Sequence, residues 1–254
     1  MRNLIKKIIY KLAGQKGYEK AYVRGKIADI NHQKLDEPEL QFLSQFIYSD
    51  STVLDLGANY GHYTVEMGKL CTKGRVYAFE PIPFTFRVLK RVVDHFKLSH
   101  VQLFEAAVSH QIGEVDMVLP LLDFGGPDTG VAYIGQSTAR KSEKVLIKTV
   151  VLDEQQLEGR VDFIKMDIEG HEPKAMKGME GLMTKNRPVI LIEFSHNCLK
   201  RATETPSEFA NYIVNQLDYR FYQAREQKLV LVDEKVPADG YYFLIPQEKM
   251  NALT

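Results

Sequence analysis

The sequence predicts a doubly wound α/β fold with a mostly parallel central sheet, and three observations carry that reading. A short apolar run, Val53–Leu56, contains Asp55 and runs into a glycine-bounded turn, Gly57 to Gly61, followed by the helical segment His62–Leu70. A second run, Arg75–Phe79, ends in Glu80, which lies 19 residues after Gly61, near the roughly 20-residue offset at which an acid on a second strand meets a ribose diol. Later runs, Val161–Asp167 and Pro188–Glu193, also end in acids. Ligands in an open α/β sheet sit beyond the carboxyl ends of the strands, so Asp55, Glu80, Asp167 and Glu193 are expected around one cleft.

The elements follow in order. Residues 1–36 form a basic helical extension; within residues 1–26, Arg2, Lys6, Lys7, Lys11, Lys16, Lys20, Arg24 and Lys26 stand against one acid, Glu19. Leu4, Ile5, Ile8, Ile9 and Leu12 recur there at helical spacing. The segment reads either as an amphipathic helix resting on an anionic membrane surface or as a helix packed on the domain. The rest, 37–254, reads as one catalytic domain. Pro38–Tyr48 places Leu40, Leu43, Phe46 and Ile47 on one helical face. Pro83 opens a helix whose buried face is Phe86, Leu89, Val93 and Phe96. Val101–Phe104 is a third strand. A variable insert at about 113–150 contains two strands, Gly113–Leu119 and Val145–Val151, around a Gly- and Asp-rich stretch that holds Phe124–Asp128 and Gly130. This insert is expected to form an acceptor-binding lid, with Arg140, Lys141 and Lys144 available to an acidic acceptor. Strand-like runs at Tyr219–Gln223, Leu229–Val232 and Tyr241–Ile245 close the chain after a helix at Ser207–Leu217.

Composition excludes several classes. Hydrophobic content of 44% with 26% charged residues is that of a globular protein. Zero formal net charge implies no global attraction to nucleic acid. Two cysteines, Cys71 and Cys198, without C-x-x-C spacing, fit reduced thiols in the cytoplasm. The expected location is cytoplasmic, with contact at the inner membrane face if residues 1–26 bind lipid.

The loop itself reads D-x-G-x-x-x-G rather than the G-x-G-x-x-G of nicotinamide enzymes. Gly57 and Gly61 allow positive φ and close approach of backbone to a ligand. Asp55-Leu56-Gly57-Ala58-Asn59-Tyr60-Gly61, Phe79-Glu80-Pro81, Ala106-Ala107-Val108-Ser109 and Lys165-Met166-Asp167-Ile168-Glu169-Gly170-His171-Glu172 occur in that order. Together they resemble the FkbM family of S-adenosylmethionine-dependent methyltransferases, from about Thr52 to Phe194. The last of these motifs is the one most specific to that family.

The resemblance implies a class I methyltransferase fold, a seven-stranded Rossmann-like sheet with an antiparallel terminal strand. It implies S-adenosyl-L-methionine held by Asp55, Gly57, Ala58, Asn59, Gly61, Thr64, Glu80, Pro81, Glu105, Ala106, Ala107 and Asp167. An Asn is common in the family where Glu105 stands here. The reaction implied is methyl transfer to a hydroxyl of a sugar, glycan, glycolipid or polyketide-type metabolite. N-methylation of a small molecule or lipid head group, or a cofactor-binding module without catalysis, is the alternative. An alcohol acceptor must lose its proton as the C–O bond forms, and His171 is the first choice of base because imidazole titrates near neutrality. Glu169 and Asp167 are the other candidates. No metal is expected, since no compact ligand spacing joins Asp167, Glu193 and His196. No nucleic acid partner is expected, and the sequence leaves the oligomeric state open.

Overall fold

A computed structural model describes residues 2–32, 37–122, 131–134 and 141–252 of the 254-residue chain. The elements in chain order are α1 (Arg2–Asn31), a 3-10 segment (Pro38–Gln45), β1 (Thr52–Leu56), α2 (His62–Leu70), β2 (Arg75–Phe79), α3 (Pro83–His95), β3 (Val101–Phe104), β4 (Ala107–Val108), β5 (Gly113–Pro120), β6 (Tyr133–Ile134) and β7 (Ser142–Val150). After these come β8 (Val161–Met166), α4 (Glu172–Lys177), α5 (Glu180–Asn186), β9 (Val189–Phe194), α6 (His196–Arg201), α7 (Pro206–Asn211), β10 (Tyr219–Arg225), β11 (Lys228–Leu231) and β12 (Gly240–Pro246).

The main sheet has the order β11-β10-β12-β9-β8-β1-β2-β3. Strands β3, β2, β1, β8 and β9 are mutually parallel, and β12 runs antiparallel to β9. This is the expected doubly wound sheet with eight strands instead of seven. The extra strand is β11, which folds back on β10 as an edge hairpin. A second sheet, β4-β7-β5-β6, holds the insert. Its two long strands were expected; that they pair into a separate layer was not.

Side-chain alternation along the central strands assigns each residue to one of two faces. Leu54, Leu56, Ile164, Met166, Ile190 and Ile192 pack with Met176, Met183, Phe209 and Ile213 on one face. Val53, Phe163, Leu191 and Phe243 pack with Phe42, Leu43, Tyr63 and Met67 on the other. By the same period, Asp55, Lys165, Glu193 and Tyr241 share the second face. The register confirms it: Asp55 lies opposite Lys165, and Glu193 opposite Tyr241. The face under α2 is therefore apolar through the middle of the sheet and polar at its carboxyl end.

Helix positions agree with the sequence better than helix faces do. On α3 the buried positions are Phe84, Thr85, Val88, Leu89, Val92 and Val93, so Phe86 and Phe96 lie at the margin of the expected stripe. The Pro38 segment winds as a 3-10 helix, which buries Phe42 beside Leu43 while Leu40 and Phe46 pack partly buried against the same cluster. Helix α1 breaks at Gly14 (φ 60, ψ −171). Its later half packs on the domain: Tyr18 stacks on Phe84 at 6.1 Å, and Glu19 takes both Arg87 and Arg91, at 3.1 and 3.2 Å. The hydrophobic side chains Leu4 to Ile9, and Phe124–Asp128, Gly130 and Arg140 of the insert, lie outside the described residues. Lys144 pairs with Asp116 on the exposed side of the insert hairpin. Among the described residues no helix is long and apolar enough to cross a membrane.

Two glycines make opposite demands. A Cβ on Gly57 (φ 76) would stand 2.0 Å from the Asp167 carbonyl oxygen. The close approach that requires this glycine is thus to the neighbouring β8 strand end rather than to a ligand alone. Gly25 in α1 has open space around its would-be Cβ. Gly57→Ala is expected to destabilise by about 3 kcal/mol, from strain plus overpacking. Gly25→Ala should stabilise by about 0.5–1 kcal/mol through helix propensity. Urea unfolding of both variants checks the pair, and equal effects would contradict the assigned packing.

Candidate active site

A cleft of about 260 Å³ opens at the carboxyl ends of the central strands. Three of its walls come from sequence-predicted motifs. The first is the loop after β1. Gly57, Asn59 and Gly61 all take positive φ, and the N–H groups of Gly57 and Ala58 both donate to the Phe79 carbonyl, tying the loop to β2. The second is Glu80. Its Oε2 accepts from the Asn59 N–H and its Oε1 from the Ile82 N–H, both at 2.9 Å. Burial holds this carboxyl up at about 7 despite those two bonds. The third wall is small: Ala106 and Ala107 line the cleft together with Pro81 and Ile82.

The Asp167–Glu172 segment forms the floor, and each position has a physical reason. Asp167 Oδ2 accepts from the Tyr241 hydroxyl at 2.8 Å and lies 3.6 Å from Lys165 Nζ. Glu169 takes a left-handed backbone conformation (φ 58). Its Oε2 accepts from Arg201 Nη2 at 2.9 Å and from the Cys198 thiol at 3.4 Å. Gly170 (φ 97) lies where a Cβ would meet the Cys198 carbonyl at 2.2 Å. His171 Nε2 is 3.0 Å from Ser109 Oγ. Glu172 turns back so that its Oε1 accepts from the Ile168 N–H at 2.9 Å, which fastens the start of α4.

Of the residues expected to hold a cofactor, Gly57, Ala58, Asn59, Glu80, Pro81, Ala106, Ala107 and Asp167 line the cleft, as do the three base candidates Asp167, Glu169 and His171. Asp55, Gly61, Thr64 and Glu105 do not. Asp55 is fully buried beneath the loop, where Thr64 Oγ1 donates to its Oδ2 at 2.5 Å. Asp55 and Thr64 support the loop from below. Glu105 is exposed, because the chain turns outward between β3 and β4. Of the metal candidates, Glu193 lines the cleft, but His196 Nε2 lies 2.7 Å from the Pro237 carbonyl, away from the other two. Among the described residues no three metal-ligating side chains converge.

Sequence reasoning missed Lys165. It is 5% exposed, donates to the Gly57 carbonyl at 3.0 Å and lies 3.9 Å from Asp55. Burial opposes its charge, but Asp167 and Asp55 outweigh that and raise its affinity for the proton. A lysine in a central strand buried on both faces must be paired, and that is the signal that could have found it. Tyr241, brought in from the end of the chain, carried no local signal. The remaining walls come from the insert, through Met117, Ala132 and Ile134, and from Tyr60. Tyr60 is held by α1, whose Lys26 Nζ lies 3.5 Å from its ring centroid.

Charge in this cleft is strongly perturbed. Burial and the neighbouring Asp167, Glu169 and Glu172 push Glu193 up to about 8. Burial also pushes Glu172 to about 8 and His171 down to about 4.

Comparison with known proteins places these features. The family model described as methyltransferase FkbM domain matches residues 55–221, more than half of the chain. Hexuronic acid methyltransferase AglP of Haloferax volcanii is 26% identical over 160 residues, 61% of each chain. Methyltransferase 1 of Beauveria bassiana is 26% identical over 151 residues, 52% of this chain and 59% of the relative. The chain therefore aligns with about three-fifths of the length of these relatives. The crystal structure of methyltransferase FkbM from Methylobacillus flagellatus KT superposes with a TM-score of 0.52 at 19% identity, covering 82% of this chain and 47% of that one, and it shares the fold.

The buried acids set a pH dependence of stability. With Glu80 at about 7 and Glu172 and Glu193 at about 8, the folded chain keeps protons that the unfolded chain loses near the ordinary carboxyl value of about 4.3. Their contribution is full below that value and is lost as pH rises to about 8. His171, at about 4 when folded, works the other way, but only below its unfolded value of about 6.5. The unfolding midpoint of the ligand-free protein is thus expected to fall from about pH 6.5 to pH 8, and Glu172→Gln should flatten that fall. A midpoint that rises over this window in differential scanning calorimetry would contradict the burial of these carboxyls.

Proposed function

This chain belongs to the FkbM methyltransferase family, and from that premise we propose that it moves a methyl group from S-adenosylmethionine to a hydroxyl of a sugar, glycan or similar small metabolite. The observation that carries the reading is Glu80. Its carboxylate stands at the end of β2, fixed by two backbone N–H groups, and each oxygen keeps lone-pair capacity for one hydroxyl of a ribose diol.

The other walls fit the rest of that cofactor. Asn59 Oδ1 is a buried polar atom that makes no hydrogen bond within the protein, and Asn59 lines the cleft, where His62 Nδ1 lies 3.1 Å from Glu37 Oε2. Buried polar groups require partners, and the amino-acid end of S-adenosylmethionine offers both donors and acceptors. Ala106 and Ala107 line the cleft with small side chains, which suits an adenine ring. When bound, S-adenosylmethionine supplies a methyl group activated by a cationic sulfonium.

The protein's own part is to orient, to exclude water and to receive a proton. Fixing the two reactants in line supplies at most about 7–11 kcal/mol of the barrier. The insert residues Met117, Ala132 and Ile134 close the cleft on the acceptor side. His171 stays neutral near pH 7, but its depressed affinity for a proton and its Ser109 contact suit it to positioning more than to proton abstraction. Glu169 is committed to Arg201. Asp167 and Glu193 are the remaining groups able to take the acceptor's proton. The name of the Haloferax volcanii relative, a hexuronic acid methyltransferase, supports a sugar as acceptor.

Isothermal titration with S-adenosylmethionine, S-adenosylhomocysteine and NAD tests the reading. The first two should bind and NAD should not. Glu80→Ala should weaken S-adenosylmethionine binding by about tenfold to a hundredfold, the worth of hydrogen bonds to a charged group. An assay for S-adenosylhomocysteine release over neutral glycosides, hexuronates and amino sugars then reports the acceptor. Binding of NAD in place of the other two would overturn the proposal.

A further inference from the structure

The amino-acid end of S-adenosylmethionine carries an ammonium group, and a cation taken out of water needs an acid beside it. Asp55, the acid of the loop motif, does not supply one. It is fully buried beneath the loop, and its Oδ2 takes the Thr64 hydroxyl. The carboxylates that line the cleft are Glu37, Glu80, Asp167, Glu169 and Glu193. Glu80 is fixed by two backbone N–H groups at the ribose position. Asp167 is held by Lys165 and the Tyr241 hydroxyl, and Glu169 by Arg201. Glu193 stands at the end of β9, two strands from β1, roughly 10 Å across the sheet from the loop.

Glu37 is the remaining acid, and its place suits the task. With the ribose on Glu80 and the adenine against Ala106 and Ala107, the rest of the cofactor runs along the loop after β1 toward the start of α2. His62 opens that helix. It lines the cleft, and its Nδ1 lies 3.1 Å from Glu37 Oε2. The segment that carries Glu37 is anchored at the same helix: Phe42 and Leu43 are buried in one cluster with Tyr63 and Met67 of α2. Glu37 itself is extended and makes no side-chain cap to the 3-10 turn that follows. Its side chain stays 29% exposed, so local structure leaves the carboxylate open to a ligand. Asn59 Oδ1, buried without a protein partner in the loop that leads to His62, is a second acceptor along the same wall. Glu37 lies before residues 55–221, which match the family model.

Resting on the cofactor reading above, we propose that Glu37 binds the ammonium group of the cofactor's amino-acid end, so that a residue ahead of the matched domain completes the cofactor site. The His62 ring stands beside the carboxylate from the α2 side, and the ammonium takes lone pairs that the ring leaves free. An ammonium donor on a carboxylate makes a charge-assisted bond, stronger than one between neutral groups. The methyl donor and the demethylated product carry the same amine. Glu37 therefore sets affinity for both and takes no part in the methyl-transfer step.

The test needs no acceptor. Three ligands are titrated calorimetrically: S-adenosylhomocysteine; its deamino analogue, which keeps the carboxylate and lacks the amine; and 5′-methylthioadenosine, which lacks the whole amino-acid end. Glu37→Gln should weaken S-adenosylhomocysteine by about tenfold to a hundredfold, the worth of a hydrogen bond to a charged group. It should leave 5′-methylthioadenosine unchanged. The deamino analogue should bind the wild-type protein more weakly than S-adenosylhomocysteine by a similar factor and lose nothing further in Glu37→Gln. Glu37→Ser, which places a good capping residue ahead of the turn, carries the same cycle should the glutamine variant misfold. An equal loss for all three ligands would assign Glu37 to the fold alone and overturn the inference. So would an undiminished affinity for S-adenosylhomocysteine in both variants, or a loss confined to Glu193→Gln. In each of those outcomes the wild-type protein still binds S-adenosylhomocysteine, and the cofactor reading stands. Wild-type protein that binds none of the three would overturn the cofactor reading and the inference with it.

Discussion

The site depends on one buried cation. Lys165 is a lysine within the central strand β8, directly opposite Asp55 in the register and within 4 Å of both Asp55 and Asp167. Its Nζ also ties down the Gly57 carbonyl and lies 5.3 Å from the Tyr63 ring centroid. An isolated charge here would be too costly to bury. With two carboxylates and a carbonyl it is compensated, and in turn it lets those acids converge at the end of a sheet that is otherwise apolar. Removing one member of such a buried set leaves an uncompensated charge, at a cost of about 3–5 kcal/mol. The loop geometry, the position of Asp167 and the acidic character of the cleft all follow from this contact.

The remaining walls are recruited from far apart in the chain. Arg201 on α6 pairs with Glu169 and lies 3.9 Å from the Tyr133 ring centroid, joining the floor of the cleft to the insert. On the opposite rim, α1 packs on α3 through Tyr18 and Glu19 and reaches Tyr60 through Tyr22 and Lys26. The described part of the basic extension is thus in contact with the domain, which favours the packed reading for that half of the helix. These contacts fix the walls around a core that any doubly wound sheet could supply, and they are where acceptor selectivity can be built.

Much of this was legible in the sequence because the signals are local. An apolar run, a glycine-bounded loop and an acid about 20 residues later each state their own conformation, and β1, α2, β2, β3 and β8 fall where those patterns put them. The six residues from Asp167 to Glu172 were legible as a unit, but their division of labour was not. Which acid meets Arg201, which folds back to a backbone N–H and which faces the cleft is decided by α6 and β12, both remote in sequence. Asp55 is legible as a strand-end acid, but its burial beneath the loop, with Thr64 donating to it and Lys165 3.9 Å away, depends on partners the local pattern does not name. The faces of α3 and of the Pro38 segment shifted because a 3-10 winding and the later half of α1 changed what each helix packs against.

Hydrogen exchange of the protein with and without S-adenosylhomocysteine tests the central claim most directly, since it asks where a cofactor binds without presupposing an acceptor. Binding in the cleft should slow exchange in 57–63, in 80–82, in 106–108 and in 165–171, with no change around Gln45–Thr52 at the opposite end of the sheet. Protection confined to that opposite end, or spread evenly over the chain, would contradict a cofactor site built on Lys165, Asp167 and Glu80.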